Sequence, residues 1–579
     1  MRFDSLGLAA AFALAWAVGA TAGERELLWP AGKKPLSEPE QIAAMIDVVE
    51  AAGFSPDAHR EPFLEWFDEP APDRKTDTCA ILVSGGAYEM TCDVPLVREW
   101  RERLTALGVT CVNLVYRTPR PKGAAFYATA WADGQRAVRL VRSEAEKRGF
   151  NPERIGVFGM SAGGHLAMLL AASSGTAAYP KVDALDDLPC HVNFACAFAP
   201  AYALSDGYGT LSARDGDAVD VTLDPVFKFD AKTCQTCLCH GGADSNSPFV
   251  STRLYRRLRQ AGVPAELHLY ADRPHGAFGL DRAVEFLRAL SFLGKPATAE
   301  NIFTRFESDA DRAEYMYEKL WPEGKAPNSQ TNFCTAALEW HIPRELKTKA
   351  IQVIWSGGAY MGNSPSSFEV TPARRYLNAK GMTVVTVQYR SPRPSPPLAK
   401  HTAAWQDIQR AIRIVRKGAA RRGLDPNRIG VMGASAGGHL ALMGVTSSRH
   451  RSYLPIDEID EIPCSVQWGV AVYPAYVLTD GVDDCNAHRG NEDGDRIVDD
   501  FSFDLSTTPV CFIHGDADGY SAMGSVKVWE RLRRMGVQGD LHTLVGRNHC
   551  FMVDAAPGTG SYTWLDRIWE FLSDKGFNR

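Results

Sequence analysis

A segment of the chain that ends in a glycine-rich turn occurs twice. Residues 155–167 read IGVFGMSAGGHLA, and residues 429–441 read IGVMGASAGGHLA. The same separation of 274 positions relates further single residues of the two halves: Trp131 and Trp405, Asp133 and Asp407, Pro200 and Pro474, Asp244 and Asp518, and His275 and His549. A period this long in two copies indicates a duplicated domain, because solenoids are built from much shorter repeats.

The N-terminal residues follow a different pattern. Arg2 precedes an apolar run between residues 6 and 18, and Ala20-Thr21-Ala22 follows that run. A short positive region, an apolar run of this length and a small-x-small site are typical of a secretory signal peptide. We therefore expect a signal peptide over residues 1–22, a first domain with its leader over 23–296, and a second domain with its own leader over 297–579. Export to the periplasm or the extracellular space follows from this reading.

Charge and cysteine content bear on the partners and the chemistry that the chain can have. The chain carries 63 basic and 69 acidic side chains, a net charge of −6, so composition gives no reason to expect nucleic-acid binding. No later stretch reaches the length of a membrane-spanning helix, so we expect no stable membrane insertion. Thirteen cysteines make disulfides possible after export. Cys234, Cys237 and Cys239 lie in an alternating pattern that favours a strand over a metal site.

Strand-like and helix-like segments alternate in both halves. Such alternation predicts an α/β fold, with a mainly parallel sheet flanked by helices in each domain. Each repeated segment has the form G-x-S-x-G between an apolar strand and an apolar helix. This context predicts a nucleophile elbow, in which a sharp turn exposes the serine hydroxyl. The predicted nucleophiles are Ser161 and Ser435.

A serine nucleophile needs a general base and a carboxylate that orients the base. Apolar segments run into Asp244 and Asp518, and His275 and His549 follow each aspartate by 31 residues. The spacing from serine to aspartate is 83 residues in both halves. Each group comes just after a strand, where open α/β sheets build their sites. We therefore predict two Ser-Asp-His triads; Asp516 is a rival acid, but its counterpart in the first half is Gly242.

An oxyanion hole requires backbone N–H groups beside the nucleophile. The sequence Ser-Gly-Gly-Ala-Tyr follows an early strand at residues 84–88 and again at 356–360. The predicted donors are the N–H groups of Gly86, Ala87 and Ala162 in the first half, and of Gly358, Ala359 and Ala436 in the second. No Gly-Lys-Ser/Thr follows either turn, which disfavours a phosphate-binding loop.

Other repeated residues have structural interpretations beside functional ones. His165 and His439 fit buried packing better than catalysis, and Asp133 and Asp407 fit structural bracing. Arg117 and Arg390 bind either substrate or a carboxylate. Tyr202 and Tyr476 either line a pocket or pack. The two halves differ most over residues 206–229 and 480–505, which we expect to influence substrate preference.

With these motifs in place, each half resembles an α/β-hydrolase of the carbohydrate esterase kind. It is similar to bacterial acetylxylan esterase and feruloyl esterase-like domains, and more distantly to hormone-sensitive-lipase-type esterases. The resemblance implies hydrolysis of acetyl or hydroxycinnamoyl esters on plant-wall or other polysaccharides, so the expected partner is an acylated carbohydrate. The predicted mechanism, acyl transfer to water, requires no metal or organic cofactor. Two alternatives stay open: a prolyl-oligopeptidase-like serine peptidase, and a binding module with one degenerate domain.

Overall fold

A computed structural model describes residues 23–36, 61–67, 73, 76–91, 95–121, 123–205, 222–295, 297–300, 312–479 and 495–579. The predicted signal peptide lies outside these ranges, and so does most of the two variable segments. The chain forms two compact units: Met1–Ala265 with Arg273–Lys295, and Glu266–Asp272 with Pro296–Arg579. Among the described helices, none is long and apolar enough to cross a bilayer.

The first unit is built on a sheet with the strand order β1-β2-β4-β3-β5-β6-β9. The strands β1 and β2 are antiparallel to their neighbours, and the pairs from β4 to β9 are parallel. A separate two-stranded ribbon pairs β7 with β8. The strands are β1 (Glu24–Leu27), β2 (Phe63–Trp66), β3 (Cys79–Val83), β4 (Thr110–Val115), β5 (Ile155–Met160), β6 (Phe194–Phe198), β7 (Leu204–Ser205), β8 (Thr222–Leu223) and β9 (Gln235–Gly241).

The second unit repeats this order as β11-β12-β14-β13-β15-β16-β19-β20. It also includes residues Glu266–Asp272, whose strand β10 pairs antiparallel with β20. The strands are β10 (Ala265–Tyr270), β11 (Arg312–Lys319), β12 (Ala337–Pro343), β13 (Ile351–Trp355), β14 (Thr383–Gln388), β15 (Ile429–Ala434), β16 (Trp468–Val472), β17 (Leu478–Thr479), β18 (Arg496–Ile497), β19 (Val510–Gly515) and β20 (Asp540–Leu544).

Helices alternate with the strands in both units, as the pattern predicts. In the first unit they are α1 (Pro95–Ala106), α2 (Ala128–Ser143), α3 (Ala145–Arg148), α4 (Ala162–Ala172), α5 (Phe249–Gln260) and α6 (Leu280–Ala289). In the second unit they are α7 (Thr371–Ala379), α8 (Thr402–Ala419), α9 (Ala436–Thr446), α10 (Met523–Arg534) and α11 (Trp564–Asp574). Short 3-10 helices cover Ala184–Asp187, Ala420–Arg422, Glu458–Glu461 and Phe551–Asp554.

Burial follows from the central position of the parallel strands. Every residue of β3 and of β13 is buried, whereas the edge strand β1 is largely exposed. Helices α4 and α9 are buried on all sides, which suits their alanine-, leucine- and glycine-rich sequences. Most cysteines of the described ranges are buried. The prediction of two tandem α/β domains, each with a mainly parallel sheet flanked by helices, is confirmed.

Strand register brings two predicted motifs together in each unit. In the first, β3 and β5 are parallel with Val83 opposite Gly159, and in the second, β13 and β15 pair Trp355 with Gly433. The glycine-rich turn after β3 or β13 therefore lies beside the turn after β5 or β15.

Candidate active site

The two predicted nucleophiles occupy sharp turns between a strand and a buried helix. Ser161 has φ 57° and ψ −119°, and Ser435 has φ 55° and ψ −123°. A positive φ is strained for a residue with a side chain, and such strain is common at functional sites. The preceding glycine permits the turn in the second unit, because a Cβ on Gly433 would lie 2.0 Å from the Gly437 carbonyl oxygen.

In the second unit the three predicted triad residues form one hydrogen-bonded chain. The His549 Nε2 atom lies 2.8 Å from Ser435 Oγ, and His549 Nδ1 lies 2.8 Å from Asp518 Oδ2. The Asp518 side chain is fully buried, and the His549 ring is 25% exposed. This arrangement allows His549 to accept the serine proton while Asp518 holds the opposite ring nitrogen.

Further donors fix the Asp518 carboxylate. The Tyr520 N–H donates to Oδ1 over 2.8 Å, and His514 Nε2 lies 3.3 Å from Oδ2. Burial alone would raise the pKa of Asp518, but hydrogen bonds from His514 and His549 outweigh it and hold the pKa well below its usual value. The carboxylate is therefore ionised at neutral pH. His549 bonds to Asp518, the acid that the equal spacing of the two halves favours over Asp516.

In the part of the first unit that the structure describes, the predicted acid and base are hydrogen-bonded to each other, but the serine is not hydrogen-bonded to the base. His275 Nδ1 lies 2.7 Å from Asp244 Oδ2, and the Asn246 N–H donates to Asp244 Oδ1 over 2.7 Å. Burial opposes ionisation of Asp244, yet hydrogen bonds from His240 and His275 keep its pKa well below the usual value. Within the described residues of this unit, Ser161 Oγ makes no hydrogen bond to His275. The structure thus joins Asp244 to His275 but leaves Ser161 unconnected to the base.

A second histidine supports each aspartate, and the sequence reasoning missed it. His240 Nε2 lies 3.2 Å from Asp244 Oδ2, and its Nδ1 lies 2.8 Å from Ser251 Oγ. His514 has the equivalent contacts with Asp518 and Ser525. Both histidines are the second-to-last residue of their strand and lie four residues before their aspartate. The repeated sequence His-Gly-x-x-Asp could therefore have identified them.

The predicted oxyanion turns lie directly against the serines. A Cβ on Gly357 would lie 2.6 Å from Ser435 Cβ, and one on Gly85 would lie 3.0 Å from Ser161 Cβ. Ala162 and Ala436 begin helices α4 and α9, where N–H groups have no partner within the helix. The remaining predicted donors have φ values of 128° at Gly86, 58° at Ala87, 103° at Gly358 and 53° at Ala359. Their role as oxyanion donors stays a prediction.

The second unit has a carboxylate behind this turn. Glu369 accepts a hydrogen bond of 2.6 Å from the Gly357 N–H and one of 3.0 Å from the Tyr473 hydroxyl. Burial raises the pKa of Glu369 above its usual value. The Tyr473 ring also packs on His549, with 4.6 Å between ring centroids. Glu369 therefore holds the glycine-rich turn through Gly357, and Tyr473 packs on the base His549. Neither residue belongs to a motif that the sequence shows.

The remaining repeated residues form hydrogen bonds within each unit. His165 is fully buried with its Nδ1 2.8 Å from the Tyr88 hydroxyl, and burial lowers its pKa to about 3. Asp133 accepts hydrogen bonds from the leader residue Trp29 and from Arg117. The second unit repeats these contacts with His439 and Tyr360, and with Asp407, Trp321 and Arg390. Tyr202 and Tyr476 accept hydrogen bonds from Arg120 and Arg393.

Comparison with known proteins is consistent with this site. The BD-FAE family model matches residues 68–206 and again residues 338–476. Each half of the chain therefore contains one match to the BD-FAE family model. Both BD-FAE matches include the glycine-rich turn and the predicted nucleophile, and both end before the predicted aspartate and base.

Two curated proteins align over a length close to that of one half of the chain. Esterase LipQ of Mycobacterium tuberculosis is 26% identical over 244 residues, which is 39% of this chain and 56% of LipQ. An acetylxylan esterase of Xylanibacter ruminicola is 23% identical over 254 residues, which is 42% of this chain and 47% of the esterase. The chain thus spans about half of the length of the curated relatives that it matches.

Solved structures that resemble the chain also cover slightly less than half of it. An acetyl ester-xyloside bifunctional hydrolase from Caldicellulosiruptor lactoaceticus is 25% identical, covers 47% of this chain and 93% of its own, and has a TM-score of 0.33. The propionate-bound esterase Est2 of Thermogutta terrifontis is 23% identical, covers 47% and 98%, and has a TM-score of 0.36.

Proposed function

We propose that both domains are serine esterases that remove acetyl, or other small acyl or hydroxycinnamoyl, groups from polysaccharides. The observation that carries this proposal is the hydrogen-bonded chain from Ser435 through His549 to Asp518, placed beside a glycine-rich turn. The esterase names of the two curated relatives support the same reaction class. Action after export, on carbohydrate outside the cytoplasm, is part of the proposal.

The reaction follows from the positions of these groups. His549 Nε2 removes the proton of Ser435 while the serine oxygen attacks the ester carbonyl carbon, and Asp518 stabilises the imidazolium that forms. The N–H groups of Gly358, Ala359 and Ala436 are the expected donors to the resulting oxyanion. Collapse breaks the ester C–O bond, and His549 returns its proton to the departing sugar oxygen. Water, deprotonated by the same histidine, then releases the acid and regenerates Ser435.

The first domain performs the same steps with Ser161, His275 and Asp244, and these steps require a hydrogen bond between Ser161 Oγ and His275. Catalytic hydrogen bonds are often longer in the absence of substrate, so the open Ser161–His275 contact is compatible with activity. It also favours a second candidate function for this domain alone, namely carbohydrate binding by a catalytically degenerate copy.

Serine variants distinguish these possibilities. We expect Ser161→Ala and Ser435→Ala each to remove part of the hydrolysis of acetylated and feruloylated oligosaccharides, and the double variant to remove nearly all of it, because each serine forms its own acyl-enzyme. Full activity in the double variant would exclude the proposed mechanism. Loss of all activity in Ser435→Ala alone, with none lost in Ser161→Ala, would instead assign the first domain to binding.

A further inference from the structure

Three side chains that could bind a metal ion converge in the second domain, and none of them belongs to the Ser435 triad. His401 lies just before helix α8, His439 lies on helix α9, and Asp500 lies after strand β18. His439 Nε2 is 3.1 Å from Asp500 Oδ2, and His401 Nδ1 is 3.5 Å from the same oxygen. One ligand atom from each residue lies within 4.8 Å of the others.

The spacing of these atoms fits a tetrahedral ion. Zinc binds histidine nitrogen and carboxylate oxygen at about 2.0–2.2 Å, so neighbouring ligand atoms in a tetrahedral site are about 3.3 Å apart. The two measured separations, 3.1 and 3.5 Å, lie on either side of that value. Two imidazoles and a carboxylate form a common zinc ligand set, and three protein ligands leave a position for water.

Neighbouring groups already orient the ligands. The Tyr360 hydroxyl lies 2.9 Å from His439 Nδ1, which leaves Nε2 directed at Asp500. The Ser447 hydroxyl donates to the Asp500 backbone carbonyl over 3.0 Å and holds that segment against helix α9. His401 Nδ1 is buried and makes no hydrogen bond in the described part of the chain. Metal-binding histidines usually have such a partner on the second ring nitrogen, as His439 has here.

The first domain provides a natural comparison, because it keeps the framework without the ligands. The Ser173 hydroxyl donates to the Val226 carbonyl, as Ser447 does to Asp500. The Tyr127 ring lies 5.4 Å from the His165 ring, and His401 lies 5.5 Å from His439. Tyr127 and Val226 therefore replace His401 and Asp500, and the buried His165 Nε2 makes no hydrogen bond to another described residue. The two domains thus differ at the two positions that, together with the shared histidine, give the second domain three metal ligands.

Access and charge are compatible with a bound cation. The side chains of His401 and Asp500 are 14% and 29% exposed, while His439 is fully buried. An ion can therefore enter the cluster from solvent and bind the Nε2 atom of His439, whose side chain is the most deeply buried of the three. Lys400 is close by, and its ammonium lies 4.0 Å from the Tyr476 ring centroid. The positive charge of Lys400 opposes cation binding, and the negative charge of the Asp500 carboxylate offsets this repulsion.

We propose that the second domain binds one Zn²⁺ ion through His401 Nδ1, His439 Nε2 and Asp500 Oδ2. The ion ties the segment after β18 and the start of α8 to helix α9. Through His439 it also fixes Tyr360, the last residue of the glycine-rich turn. The site is structural, goes beyond the proposed esterase reaction, and takes no part in the transfer of the acyl group.

Zinc titration of the full chain, freed of metal by a chelator, tests the site. We expect calorimetry to show one zinc per chain that His401→Tyr and Asp500→Val each abolish, because these variants install the residues of the first domain. The same zinc should raise the melting temperature of the wild-type chain and not that of the variants. No zinc binding by the wild-type chain, or an unchanged stoichiometry in both variants, would overturn the proposal. Sites formed by cysteine thiols would persist in the variants.

Two further variants keep the test decisive if a ligand variant does not fold. Tyr360→Phe keeps the buried ring but removes the partner of His439 Nδ1, and we expect it to weaken zinc binding by about 10–100-fold. The double variant Tyr127→His/Val226→Asp builds the same ligand set in the first domain, and a second zinc per chain is expected. Unchanged affinity in Tyr360→Phe together with no added zinc in the double variant would count against the site.

Discussion

Two aspartates follow strand β19, and their different contacts separate two roles at the residue scale. The carboxylate of Asp518 is hydrogen-bonded to the His549 ring. Asp516 bonds through its backbone N–H, which donates to the Leu544 carbonyl. An amide in place of Asp518 could donate to His549 Nδ1 and so favour the tautomer that cannot accept the serine proton. In a Ser161→Ala background, we expect Asp518→Asn to lower kcat by up to about 10⁴-fold, as in other serine triads.

Asp516→Asn is the matched control for this measurement. It lies two residues away in the same turn, so it reports any general damage to the loop. We expect ester hydrolysis in the same background to change little. Equal losses in the two variants would show that the loop, and not the orientation of His549, governs the rate.

At the scale of elements, the elbow depends on close contact between strand β15 and helix α9. Gly433 faces the Gly437 carbonyl oxygen, which a Cβ would approach to 2.0 Å. We expect Gly433→Ala to destabilise the protein by at least about 1–3 kcal/mol, the usual cost of overpacking, because the obstacle is backbone. Urea unfolding followed by circular dichroism measures this change.

Gly362→Ala serves as the control. Apart from its chain neighbours, no described residue has an atom within 4 Å of its Cβ position, and its φ is not positive. It should unfold at nearly the same urea concentration as the wild-type chain. A Gly433→Ala variant that is as stable as Gly362→Ala would mean that the turn can relax, and that the tight elbow is not required for stability.

The elements that could be predicted from sequence are those with a short local signature. A strand that enters G-x-S-x-G and a helix that leaves it are specified within thirteen residues, and the duplication repeats that signal. His401 and Asp500 carry no such signature, because 99 residues separate them and the fold alone brings them together. The contacts of Glu369 with Gly357 and Tyr473 arise in the same way. Side chains joined only by tertiary packing are thus beyond single-sequence reasoning.

At the scale of the whole molecule, duplication predicts two equivalent sites, but the surroundings of the two bases differ. Tyr473 and Tyr520 pack on His549, with ring centroids 4.6 and 4.8 Å away. The first half has Ala199 and Asn246 at the corresponding positions, and Asn246 Nδ2 lies 3.2 Å from His275 Nδ1. The identical spacing of the predicted triads therefore does not determine how firmly each base is held. Among the described residues, aromatic rings pack on the base of the second site, and the corresponding residues of the first site are not aromatic.

This difference predicts unequal reactivity of the two serines toward a small fluorophosphonate. Ser435 is hydrogen-bonded to its base, and a positioned base contributes about 10²–10⁴-fold to rate, so we expect Ser435 to be labelled about tenfold or more faster than Ser161. Accessibility alone predicts the opposite order, because Ser435 is 8% exposed and Ser161 is more exposed. Peptide mass spectrometry over a time course measures both rates in one chain, with urea-unfolded protein as the unreactive control. Faster labelling of Ser161 would show that access, and not contact with the base, determines reactivity in this duplicated protein.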